Sequence, residues 1–169
     1  MTRESALVVV LLFAAALIGV AVWAWRRRTR RDAGLTAPVG EIPADATPVA
    51  SFDALFVATT RHDEPLERLA IRGMGFRSRA AVLVTSAGVA LDLTGQPRMF
   101  LPLERIELAD QATVAIDRVV EPDGLTRIPW RTDDGAVVDS YFRPQDASAR
   151  DLVDAVRGIL LQTQTGTEA

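Results

Sequence analysis

The sequence predicts a single N-terminal transmembrane helix followed by a mainly-β domain, a seven-stranded sandwich or partly open barrel capped by a C-terminal amphipathic helix. Three observations predict it. Residues 6–25 hold no charged side chain. Seven short segments of alternating apolar residues follow, separated by glycine, proline and aspartate turns, and residues 147–161 carry apolar positions at helical spacing.

As a helix, the apolar run extends about 30 Å, the thickness of a bilayer core. Arg3 before it is offset by Glu4, whereas the run leaves through Trp23, Ala24 and Trp25 into Arg26, Arg27, Arg28, Arg30 and Arg31. A cleaved signal peptide has a positive start, a shorter apolar core and a small-residue exit, so the pattern reads as an uncleaved anchor. Trp23 and Trp25 suit the membrane interface and the five arginines suit the cytoplasmic side. Residues 1–5 are therefore expected outside, 6–25 in the plasma (inner) membrane, and 26–31 as a basic juxtamembrane segment leading to a cytoplasmic domain.

Charge divides at the same place. Residues 1–31 hold six arginines and one glutamate, while the remainder holds 13 arginines against 21 acids. An acidic domain lacks the field that draws proteins onto phosphate backbones, which argues against a nucleic-acid partner. The chain has no cysteine, which excludes disulfides, thiolate metal sites and a cysteine nucleophile.

Residues 32–51 carry Pro38, Pro43 and Pro48 at intervals of five and read as an extensible linker of up to roughly 60 Å. The domain is expected over 52–162, with a flexible tail over 163–169. Its predicted strands are 54–60, 80–85, 89–94, 98–103, 113–120, 125–131 and 137–143. The second and third form a hairpin about Gly88, and Asp123-Gly124 and Asp134-Gly135 turn into the last two. Pro129 lacks an N–H and places the strand carrying Trp130 at an edge or bulge. A short helix is predicted from a cap at Asp63, with Pro65 in its first turn, Leu66, Leu69 and Ala70 on one face and a stop at Gly73. The terminal helix opens on Ser148 and Asp151 at capping-box spacing, with Ala149, Leu152, Val153, Val156 and Leu160 opposite Arg150, Asp154 and Arg157.

Chemistry-bearing patterns are sparse. His62 is the one histidine and reads as an exposed loop residue, so no zinc set is expected. Asp63-Glu64 and Asp133-Asp134 read as a helix start and a turn, not as acid–base pairs. Gly73-Met74-Gly75-Phe76 has Ser78 where a phosphate loop needs its third glycine, and it ends a predicted helix instead of opening one. With no nucleophile, base and orienting group together, neither enzymatic activity nor a metal or cofactor is expected.

The segments ATTRHDEPLERLAIRGMGFRSRA (58–80), GVAL (88–91), AIDRVVEPDGL (115–125) and DSYFRP (139–144) resemble the membrane-anchored pleckstrin-homology-like (PH-like) proteins of actinobacteria. The likeness spans essentially the whole chain. It implies a PH-like domain whose open corner the terminal helix plugs. Genes for such proteins tend to lie among those of pyrimidine biosynthesis, and some carry a transporter or exporter label. The single anchor, the extensible linker, the absence of catalytic groups and the PH-like pattern together point to a tethered interaction module recruiting or scaffolding a protein partner, docking at an exposed sheet edge near Trp130 or in the groove beside the terminal helix. A second implication is anionic-lipid headgroup binding through Arg68, Arg72, Arg77 and Arg79, between the first two strands, where lipid-binding PH domains place basic residues. A third is an accessory subunit of a transport system, which would need further spans to line a pathway.

Overall fold

The computed structural model describes residues 3–116, 118–119 and 122–166, in two compact units, Met1–Gly34 and Leu35–Ala169. The first unit is α1 (Arg3–Arg31), a continuous helix that absorbs both the apolar run and the arginine block, because neither proline nor an unfavourable turn interrupts them. Its stretch Leu7–Arg31 is long and apolar enough to cross a membrane and buries nothing within the protein. The Arg27 guanidinium lies over the Trp23 ring at 5.5 Å, a cation–π contact that orders the end of the run.

The second unit contains β1 (Pro48–Arg61), β2 (Glu64–Arg68), β3 (Ser78–Thr85), β4 (Gly88–Leu93), β5 (Met99–Pro102), β6 (Asp110–Ala112), β7 (Val114–Ala115), β8 (Arg118–Val119), β9 (Leu125–Arg131), β10 (Val137–Pro144) and α2 (Ala149–Gly166). Eight strands form one antiparallel sheet in the order β5-β4-β3-β1-β10-β9-β6 with β2 paired to β1, and β7 and β8 make a separate hairpin. The sheet does not close on itself. β1 is its spine: Pro48–Phe56 pairs with β3 and Ala54–Arg61 with β10. The register shifts between Phe56 and Ala58, which bends the strand where the two pairings overlap.

Alternation along β1 turns Phe52, Ala54 and Phe56 inward, and Phe56 meets Phe142 of β10 with ring centroids 5.6 Å apart. α2 lays Ala149, Leu152, Val153, Val156 and Ile159 against this core, each larger aliphatic side chain contributing roughly 1.5–3 kcal/mol by burial. Ile159 joins the expected stripe, and Leu160 packs against the core half-buried. The predicted capping box forms: the Ser148 N–H donates to Asp151 Oδ2 at 2.9 Å and the Asp151 N–H donates to Ser148 Oγ at 3.2 Å.

The structure departs from the sequence reading in four places. No helix forms over 63–73. Asp63 adopts φ 58° and its N–H donates to Asp139 Oδ2 at 3.0 Å, closing a turn from which β2 runs back along β1. The predicted strand over 113–120 is divided between β7 and β8, and residues 117 and 120 lie outside the described residues. β9 is not an edge strand: β6 pairs with Leu125–Arg127 and the Glu107 N–H donates to Pro129 O at 3.0 Å, so of the expected edge or bulge at Pro129 only the irregularity is present, a one-residue register shift between the pairs Asp110–Arg127 and Ile106–Trp130.

The fourth difference concerns the expected linker, much of which is laid onto the domain as a strap. Leu35 and Ala37 pack against the core and Val39 bridges Met99. The Phe100 N–H donates to Pro38 O at 2.7 Å and the Gly40 N–H to Arg98 O at 3.2 Å. The exposed edge of β5 offers these unpaired backbone groups, and an extended proline-containing segment satisfies them without competing for a helix.

Candidate functional site

The four arginines predicted as a patch do not share one role. Arg68 turns inward, donating through Nη1 to Gly75 O at 2.8 Å and through Nη2 to Val57 O at 3.0 Å, which folds the loop 69–77 back toward β1. Arg72, Arg77 and Arg79 are exposed, with no carboxylate partner among the described residues. Four other arginines of the domain are ion-paired, Arg61 with Glu67, Arg98 with Asp92, Arg105 with Asp133 and Arg131 with Glu107. Leu69, Ile71 and Met74 anchor the loop in the core, while Phe76 is 87% exposed between Arg72 and Arg77. Sequence reading found the arginines but did not single out Phe76.

A groove of about 760 Å³ runs beside the second half of α2. Leu103, Ile106, Leu108, Ala109, Leu160 and Leu161 give it an apolar lining, and Glu104, Glu107 and Asp110 give it acid groups. Arg157 closes one side by donating through Nε to Ala109 O at 2.7 Å. Leu108 and Leu161 remain 39% and 64% exposed along this lining.

The third constellation is centred on Asp139 of β10, which is fully buried. Its Oδ1 lies 2.8 Å from His62 Nδ1, and its Oδ2 accepts from the Asp63 N–H at 3.0 Å and from Arg127 Nη1 at 3.4 Å. Arg127 also donates from Nε to Asp110 Oδ1 at 2.8 Å and from Nη1 to Asp63 Oδ1 at 3.1 Å. Hydrogen bonding to Asp110 holds the guanidinium firmly protonated, its pKa raised above the usual value despite partial burial. The His62 pKa is raised as well, first by the hydrogen bond with Asp139.

Donor atoms of His62, Asp63 and Asp139 lie within 4.8 Å of one another. Both carboxylates already accept from Arg127, so a metal ion would have to displace a guanidinium, and the set is an ion-pair network. A histidine on a buried aspartate also invites a general-base reading. The outer nitrogen, Nε2, faces the Asp63 carboxylate at 3.4 Å instead of a hydroxyl, which gives it a counter-ion and no proton to take. Sequence reasoning missed this network because His62 finds its partner 77 residues away.

Trp130 is not a docking surface. Its side chain is wholly buried, with the indole Nε1 donating to Ser140 Oγ at 2.9 Å, because the alternation of β9 turns it to the inner face. Trp23, Trp25 and the arginines from Arg26 to Arg31 all lie on α1, with both tryptophans exposed. A family model described as bacterial PH domain-like matches residues 19–157. No curated protein matches the sequence. Among solved structures, the C-terminal domain of an unknown protein from Leishmania infantum aligns at 10% identity, covering 83% of this chain and 98% of that one with a TM-score of 0.45.

Proposed function

The chain belongs to the bacterial PH domain-like family, whose fold serves in protein and lipid interaction, and from that premise we propose that it is a membrane-tethered module that recruits or scaffolds a protein partner. α1 crosses the plasma membrane with its basic end in the cytoplasm, and the domain works at the inner face. One observation carries this reading: the groove beside α2 leaves Leu108 and Leu161 in water and sets Glu104 and Glu107 beside them. The matching ligand is an amphipathic segment with an apolar face and basic flanks.

The test uses full-length protein in native membranes, with a photoreactive residue at Leu161 and, as control, at Asp133. Cross-linking to one defined protein from Leu161 and not from Asp133, abolished by Leu108→Asp, supports the reading. Indistinguishable patterns from the two positions reject it. Protease treatment of inverted vesicles tests the orientation, and a protected domain would overturn the cytoplasmic placement.

A second reading rests on the 69–77 loop. Phe76 flanked by the exposed Arg72 and Arg77, with Arg79 nearby in sequence, has the chemistry of a contact with anionic lipid, an apolar tip for the interface and cations for the headgroups. The cysteine-free chain allows a polarity-sensitive dye to be placed at Phe76→Cys in nanodiscs. A blue shift on adding anionic lipid supports this contact, and identical spectra in neutral and anionic discs exclude it.

A further inference from the structure

His62 has a carboxylate at each ring nitrogen: Asp139 Oδ1 at 2.8 Å from Nδ1 and Asp63 Oδ2 at 3.4 Å from Nε2. An ionised carboxylate only accepts. A neutral imidazole carries one N–H, so it satisfies one of these contacts and turns a lone pair toward a negative oxygen at the other. Only the imidazolium turns an N–H toward each of them and carries the charge that both attract. The charged groups around it are Asp139 on β10, Asp63 in the turn, Arg127 on β9, and Asp110 on β6, which Arg127 binds. Three carboxylates against one guanidinium leave the cluster short of positive charge, and a proton on His62 supplies it.

What this proton holds is the turn between β1 and β2. The Asp63 N–H is tied to the same buried carboxylate. Beyond the turn, Pro65 O accepts from the Ile116 N–H at 2.6 Å. At the far end of β2, Arg68 fixes Gly75 O, at the base of the loop that carries Arg72, Phe76 and Arg77. The fastening of the turn is thus continuous through β2 with the most exposed aromatic of the domain.

We propose that His62 is a proton-operated clasp. Protonated, it locks the β1–β2 turn to β9 and β10. Losing the proton, it keeps one contact, leaves Asp63 held only by its own N–H on Asp139 and by Arg127, and loosens β2 together with the loop that follows. The His62 pKa lies above its ordinary value of 6.5, first because of the Asp139 hydrogen bond, against a smaller opposing effect of burial. A raised folded-state pKa means that the stabilisation is complete below 6.5 and fades as pH rises through the folded value. With the side chain 41% exposed, screening by water keeps the effect local and does not unfold the domain.

Because the chain has one histidine, a single ring Cε1–H signal in full-length protein in nanodiscs reports the titration without any substitution. The expected pKa lies above 6.5, and Asp63→Asn lowers it. Hydrogen exchange, corrected for the intrinsic pH dependence, should show protection of residues 63–68 falling several-fold as pH rises through the His62 pKa read from that signal. β3 amides serve as the unaffected reference. His62→Gln should remove the pH dependence. A wild-type pKa at or below 6.5, or the same pH-dependent protection in His62→Gln, overturns the clasp whether or not the groove or the loop binds a partner.

Discussion

Replacing Ser140 by alanine removes one oxygen on which two buried groups depend. Ser140 Oγ accepts from Trp130 Nε1 at 2.9 Å and shares a hydrogen with Thr59 Oγ1 at 2.8 Å, and all three residues are fully buried. The Thr59 hydroxyl can rotate, but the indole N–H is fixed by its ring and is left unpaired, at about 1–3 kcal/mol. Adding the lost Thr59 contact brings the expected cost to about 2–3 kcal/mol, a fall in Tm of roughly 3–5 °C for each kcal/mol in a domain of this size. Thr59→Val alone should cost about 1 kcal/mol, and the double variant less than the sum, since both changes break the same bond. Urea unfolding of the full chain in detergent, followed by Trp130 fluorescence in a Trp23→Phe, Trp25→Phe background, measures all three. A loss below about 0.5 kcal/mol for Ser140→Ala, or strict additivity, would refute the network as the reason for Trp130's burial.

Gly88→Ala should cost more than about 3 kcal/mol, because its Cβ would meet Leu101 O at 2.1 Å on a backbone at φ 149°, and neither can yield; an unchanged unfolding midpoint would contradict the close approach. A domain beginning at Ser51 should be less stable than one beginning at Leu35 by at least about 2 kcal/mol, since it loses the packed strap and the first residues of β1; equal midpoints would show the strap to be idle. Ser148→Ala should weaken α2 by about 1 kcal/mol through its cap. Hydrogen bonds from Ser148 hold the Asp151 carboxyl below its usual value of 3.8, so that part of the stability is present above 3.8 and disappears as pH falls through the folded value. Acid titration by circular dichroism should lose this limb in the variant.

The sequence carried the fold where the signals were local. Strict alternation and Asp-Gly turns placed β9 and β10 almost residue for residue, and the Ser148–Asp151 spacing fixed the start of α2. It misled where a local signal had a distant use. Asp63-Glu64-Pro65 has the composition of a helix start, but Asp63 spends its N–H on Asp139 and its carboxylate on Arg127, partners far along the chain. Pro38 looks like linker, yet it is buried and its carbonyl completes the edge of β5. Of the site, the groove beside α2 and the exposed arginines were legible from helical and charge patterns. The inward turn of Arg68 and the Asp139 network both depend on β2 being a strand, which composition did not reveal.

The strap along β5 also sets a search radius. While it is docked, only Asp32–Gly34 connect α1 to the packed chain at Leu35, a span of about 10 Å when extended. Peeling residues 35–47 away would lengthen the connection to about 55 Å. The volume accessible to a domain tethered as proposed grows with the cube of that length, so its effective concentration beside the anchor would fall roughly a hundredfold. For the tether proposed above, a partner beside α1 would meet the domain most often while the strap is in place, and a more distant one would be reached only after Pro38 and Gly40 let go of β5.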